Sequence, residues 1–203
     1  MNRHSATWIT AGLARAVRAW LILPGLLLAA AAAAVVPDAS PYDRIDQQAE
    51  WTAGDGARLA FCLLGRDGED LARTLAVYRL RGAAWEPLYL DRDRATHPWK
   101  LALAELDGDE RPEVLVAVRK SSRFDPIVRN RLFVYDWTAA GTIHPLWLGS
   151  RLGGSLVDFG VIAGRDGLDR IVVIEQVGPE ATRARRYTWS GFGFVLDEDG
   201  GGE

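Results

Sequence analysis

The stretch Leu101–Asp136, LALAELDGDERPEVLVAVRKSSRFDPIVRNRLFVYD, reads as strand, acidic loop, strand, long basic loop, strand. Leu, Val, Phe and Tyr fill the apolar runs, as a half-buried pleated surface prefers. Gly, Asp, Ser and Pro punctuate the polar runs between them. Related stretches lie on either side. Leu59-Ala60-Phe61, Val114-Leu115-Val116 and Ile171-Val172-Val173 are apolar strand starts at offsets of 55 and 57 residues, each preceded by a Gly/Asp loop. Val77-Tyr78 recurs as Val134-Tyr135, 57 residues on, and Tyr187-Thr188-Trp189 follows in a third copy. Trp85-Glu86-Pro87-Leu88-Tyr89 and Ile143-His144-Pro145-Leu146-Trp147 close the first two copies, and Phe192–Leu196 takes that place in the third.

Each copy therefore offers four short strands: one before the Gly/Asp loop, one after it, then a hairpin. The predicted fold is mainly β, with three propeller-blade-like antiparallel repeats near 51–90, 99–148 and 155–196, following an N-terminal apolar helix. Propellers close with roughly 4–8 blades. Three repeats thus predict a partial β-propeller, stacked sheets, or a chain that closes by association as a homo-oligomer.

The N-terminal segment sets the compartment. Arg3, Arg15 and Arg18 precede an uncharged run from Trp20 to Val36, and no acid occurs before it. Such a run is a signal peptide or a transmembrane anchor, and both keep the arginines in the cytoplasm and send the rest out. Ala32 and Ala34 offer a small-residue cleavage site. The expected location is the cell membrane facing outward, held through residues 20–36, or the exterior if the segment is cleaved. Residues 37–50 are polar and turn-rich and read as a linker. From Pro37 onward 21 basic residues face 27 acidic ones, which excludes nonspecific nucleic-acid binding by phosphate neutralisation. Cys62 is the only cysteine, so no intrachain disulfide forms, and its place in an apolar run predicts a buried thiol.

The acidic loop carries the strongest chemistry. Glu105, Asp107, Asp109 and Glu113 stand at its first, third, fifth and ninth positions. Alternate carboxylates around a tight Gly-containing turn can converge on one Ca²⁺, a hard cation that takes several oxygen ligands. The loop resembles the calcium loops of FG-GAP and VCBS repeats, D-x-D-G-D-G-x-x-D-L. Glu105 stands for the first Asp, Glu110 for the second Gly and Glu113 for the last Asp. The likeness runs on through Asn130–Trp137 and Pro145–Leu152, spanning about Trp99 to Phe194, and is to bacterial extracytoplasmic repeat proteins, mostly uncharacterised. It implies a propeller-like β fold outside the cytoplasm and no particular activity. In the first and third copies Arg58 and Arg170 take the ninth place, where a guanidinium could bridge loop carbonyls or an Asp instead of a cation.

Other residues carry weaker signals. Arg119, Lys120, Arg123 and Arg129 crowd one loop and are candidates for an anionic ligand such as an envelope glycan; as a solvated loop they would pair with nearby acids. Trp85, Trp99, Trp137, Trp147 and Trp189 recur at matching places, which points to packing between sheets more than to a carbohydrate platform. His97 and His144 lack the neighbours of a zinc site. Two functions compete: an extracytoplasmic binding or scaffolding module for a protein or anionic glycan, and a metal-assisted hydrolase using Glu105, Asp107 and Asp109. The hydrolase needs a base or nucleophile in a pocket beside that loop.

Overall fold

The computed structural model describes residues 42–197, except 71, 73, 92–95, 122–124, 139, 150 and 151. The expected anchor, residues 37–41 of the expected linker, and Arg123 lie outside the described residues. The described chain is mainly β and contains no helix, so no described helix is long and apolar enough to cross a membrane.

Twelve strands form three four-stranded antiparallel meanders. Sheet 1 holds β1 (Arg44–Thr52), β2 (Arg58–Gly65), β3 (Thr74–Arg81) and β4 (Ala84–Leu90). Sheet 2 holds β5 (Pro98–Ala104), β6 (Glu113–Lys120), β7 (Arg129–Trp137) and β8 (Ile143–Leu148). Sheet 3 holds β9 (Ser155–Ala163), β10 (Asp169–Gln176), β11 (Thr182–Trp189) and β12 (Phe194–Leu196).

The chain enters the first sheet earlier than its polarity suggests. Residues 44–50, expected in the linker, belong to β1. Their polar side chains serve the strand's free edge: Gln47 donates to the Trp99 carbonyl at 2.9 Å and accepts the Leu101 amide at 2.8 Å, tying β1 to β5.

The register corrects one alignment. Ala60 lies opposite Tyr78, Val114 opposite Tyr135 and Ile171 opposite Tyr187. Ala60, not Leu59, is thus the counterpart of Val114, and the first offset is 54 residues rather than 55. A one-residue slip exchanges the two faces of a strand. The bulges agree with the corrected register. A break falls opposite Leu63/Leu64 in sheet 1, Ala117/Val118 in sheet 2 and Ile174/Glu175 in sheet 3. The hairpins break alike, at Val77/Tyr78 and Val134/Tyr135.

Each sheet therefore has a tyrosine face and a plain face, and the sheets pack head to tail. The tyrosine face of sheet 2 (Val114, Val116, Tyr135, Trp137) meets the plain face of sheet 1 (Leu59, Phe61, Leu63, Val77). The tyrosine face of sheet 3 (Phe159, Ile171, Val173, Tyr187) meets the plain face of sheet 2 (Leu115, Ala117, Leu132, Val134). Sheet 2 is covered on both sides, which is why Val114–Val118 is an unbroken apolar run. The tyrosine face of sheet 1 (Ala60, Cys62, Leu64, Ala76, Tyr78, Trp85) is also buried, and among the described residues no second sheet packs on it. Burial pushes the Cys62 thiol up to about 12, with Glu50 adding to the rise, so the thiol stays protonated.

Trp137 pins the first interface. Its ring meets Trp51 edge-on at 5.0 Å and Phe61 at 5.5 Å, and its Nε1 donates to the Pro112 carbonyl at 2.9 Å. Trp147 is buried in the core between sheets 2 and 3, with Trp99 and Trp189 partly buried against it, whereas Trp85 is buried on the tyrosine face of sheet 1.

Candidate functional site

The acidic loop joins β5 to β6 and abuts the β9–β10 loop of the next sheet. The Asp169 amide donates to the Glu105 carbonyl at 2.7 Å, and the Glu105 amide returns a bond to Asp169 Oδ2 at 3.0 Å. Two residues take left-handed backbone, Gly108 at φ 90° and Glu110 at φ 65°. The second is where the resembled repeats carry their second glycine, and a non-glycine residue there is strained by about 1–2 kcal/mol.

This curl brings Glu105, Asp107 and Asp109 together, with one carboxylate oxygen of each within 4.8 Å of the others. Local bonds hold them. Glu105 Oε1 accepts the Gly108 amide at 2.7 Å, Asp107 Oδ1 the Asp109 amide at 3.2 Å, and Asp109 Oδ1 the Arg111 amide at 2.8 Å. The donor set, three carboxylates on a tight turn, suits a hard divalent cation.

Glu113, the fourth expected ligand, points elsewhere. It is 1% exposed, and its Oε2 accepts the Leu106 amide at 2.8 Å. Burial pushes its carboxyl up to about 8, the Leu106 amide opposes the rise, and the charges of Asp107 and Glu105 add to it. The folded pKa lies above the unfolded one, so this group favours folding most at low pH, and the contribution fades as pH rises. Chelated, calcium-free protein should lose stability between about pH 5 and pH 8, and Glu113→Gln should flatten that slope. Urea melts at several pH values check it; a wild-type slope equal to the variant's refutes the assignment.

Arg111, absent from the expected set, is the loop's resident cation. Its Nε donates to Asp109 Oδ2 at 2.9 Å, its Nη1 to the Trp137 carbonyl at 3.0 Å, and its guanidinium lies 5.8 Å from the Trp137 ring centre. The hydrogen bond to Asp109 raises the Arg111 pKa against desolvation. Nothing in the D-x-D spacing announces this, because the contact depends on where β7 ends. In the third copy Arg170 behaves as expected: it donates to the Leu168 carbonyl at 3.0 Å and pairs with Asp166 at 2.6 Å. In the first copy Arg58 pairs with Glu50 across β1 and β2 instead.

The basic residues lie at the far end of sheet 2. Arg119 and Lys120 end β6, opposite Asn130 and Arg129, seven strand residues from Glu113, or roughly 20 Å. Arg129 and Arg131 both pair with Asp125, at 3.3 and 3.0 Å. Acids and bases do not converge on one pocket.

A second polar cluster was not signalled by any motif. Glu175 is fully buried in sheet 3, accepts the Tyr187 hydroxyl, and lies 3.4 Å from Arg183 and 3.9 Å from Arg185. The Tyr187 oxygen accepts the Gly153 amide at 3.1 Å, which ties the β8–β9 connection to the sheet. A Cβ at residue 153 would meet that oxygen at 3.0 Å, so a larger residue there would push on the Tyr187 hydroxyl. The only sequence sign is a charge interrupting the apolar run of β10.

No family model matches the chain, and no curated protein matches it. Among solved structures, a crystal structure described as a candidate exo-β-1,3-galactanase from Bifidobacterium bifidum s17 is similar at 13% identity and a TM-score of 0.46. The match covers 75% of this chain and 51% of that one, so this chain spans about half the length of that protein.

Proposed function

We propose that the chain is an extracytoplasmic binding or scaffolding module, held at the membrane through residues 20–36, whose acidic loop takes one Ca²⁺ as a structural ion. The observation that carries this reading is the convergence of Glu105, Asp107 and Asp109 within 4.8 Å at the seam between sheets 2 and 3. The head-to-tail packing supports a partial propeller of FG-GAP or VCBS type. The loop ties two sheets through Asp169, so a cation there would stiffen the array and fix the loop surface offered to a partner. The partner is a protein or an anionic envelope glycan, met by exposed cations such as Arg119. Equilibrium dialysis of the whole chain against calcium tests the ion: about one bound per chain is expected, and none in Asp107→Asn with Asp109→Asn.

Export is the second expectation. Three arginines and no acid precede the apolar run, so residues 37–203 should be translocated. A reporter fused after Glu203 should be active only outside the cytoplasm. Protection of the C-terminal half from protease in intact spheroplasts would contradict it.

A further inference from the structure

The first strand begins at the end of the array opposite the acidic loop, and that end is basic and tipped with exposed apolar side chains. We propose that it is a membrane-contact surface, on which Arg119, Lys120, Ile127 and Val128 rest against the anionic headgroups of the bilayer that holds residues 20–36. The proposal rests on the membrane-held reading of the chain and is independent of the calcium ion.

Register fixes the two ends. β1 starts at Arg44, paired with Gly65 at the end of β2, and finishes at Thr52, paired with Arg58. Trp51, near its finish, meets Trp137, whose indole holds Pro112 in the acidic loop. Arg44 therefore lies at the opposite end, the one where β6 stops at Lys120 and β10 at Gln176. Six peptide steps separate Val36, the last residue of the apolar run, from Tyr42. Fully extended, that length spans about 20 Å. The entry end thus stays within about 20 Å of the bilayer, and the loops that share it are the ones within reach.

Charge divides between the same two ends. Residues 119–131 carry five cations and one acid, whereas residues 105–113 carry five acids and one cation. Asp125 is taken up by Arg129 and Arg131, and among the described residues no acid pairs with Arg119 or Lys120. Apolar exposure goes with the cations. Ile127 and Val128 are 56% and 57% exposed in the β6–β7 loop, and Val177 is 47% exposed in the β10–β11 turn at the same end. A lipid surface accommodates both features, with apolar side chains at headgroup depth and cations on the phosphates. An anionic glycan would meet the same cations but gives no place to Ile127 and Val128. The contact turns the acidic loop and Phe192, which follows β11 at the other end, toward the aqueous side.

The test uses the full chain in nanodiscs of phosphatidylglycerol and phosphatidylcholine in equal parts. Ile127→Cys and Phe192→Cys each take one polarity-sensitive dye, while Cys62, 1% exposed, stays unlabelled. Lipid-borne nitroxide should quench the dye at residue 127 severalfold more than the dye at residue 192, although Phe192 is the more exposed apolar residue. Adding Arg119→Ala with Lys120→Ala should bring residue 127 down to the quenching of residue 192. A chain that enters the nanodisc with residue 127 as wet as residue 192 overturns the contact and leaves the anchor standing. A chain that stays out of the nanodisc overturns the anchor, and the contact falls with it. Quenching at residue 127 that survives loss of both cations overturns the proposal, as does a wet residue 127 whose dye responds only to added polyglucuronate.

Discussion

Trp137→Ala should cost about 3–5 kcal/mol, the usual range for deleting a buried tryptophan, and should weaken the acidic loop at the same time. The side chain is 2% exposed and sits where the plain face of sheet 1 meets the tyrosine face of sheet 2. It makes edge-on contacts to Trp51 and Phe61, each of a kind worth about 0.5–1.5 kcal/mol beyond burial. Its indole N–H holds the Pro112 carbonyl, and its ring and carbonyl hold Arg111, the guanidinium bound to Asp109. One residue therefore links an inter-sheet core to the candidate site. Urea unfolding of Trp137→Ala and Trp137→Phe separates the two roles. The phenylalanine variant keeps most of the packing and loses the indole donor, so it should fall well short of the full loss. Equal losses below 1 kcal/mol in both variants would refute the assignment.

Calcium should raise the stability of the whole chain by about 2.7 kcal/mol at a hundredfold excess over the dissociation constant, since the ion binds the folded loop and not the dispersed ligands of the unfolded chain. Extracellular calcium modules bind at about 10⁻⁴–10⁻³ M, so millimolar CaCl₂ should suffice to show an upward shift in thermal melts. The geometry adds a competitor. The Arg111 guanidinium already engages Asp109 Oδ2 while its backbone amide holds Oδ1, and an incoming ion must share Oδ2 with the guanidinium or displace it. Arg111→Gln should therefore bind calcium more tightly than the unaltered chain, and be less stable without it because three carboxylates then lack their counter-charge. Asp107→Asn with Asp109→Asn should abolish the calcium-dependent shift and relieve the same repulsion. Melts that shift equally in the unaltered chain and the double variant, or in neither, would leave the loop a solvated turn.

The charge asymmetry that predicts export, the three-fold repeat, and the four strands per repeat are all written in local patterns. Strand character comes from runs such as Val114–Val118 and turns from Gly and Asp, and both act within a few residues. The convergence of Glu105, Asp107 and Asp109 was legible for the same reason: one tight turn makes it. The faces were not legible. Leu59–Leu64 is apolar throughout, so a strand buried on both sides carries no alternation to fix its register, and only the pairing of Ala60 with Tyr78 decided it. Tertiary structure also decided the fate of Glu113, whose burial depends on the packing over β6. It placed Arg111 against a carbonyl 26 residues away, gathered Glu175, Tyr187 and Gly153, and set the basic residues at the opposite end of sheet 2. Each of these is a contact between segments distant in sequence, and no periodicity within one segment can specify it.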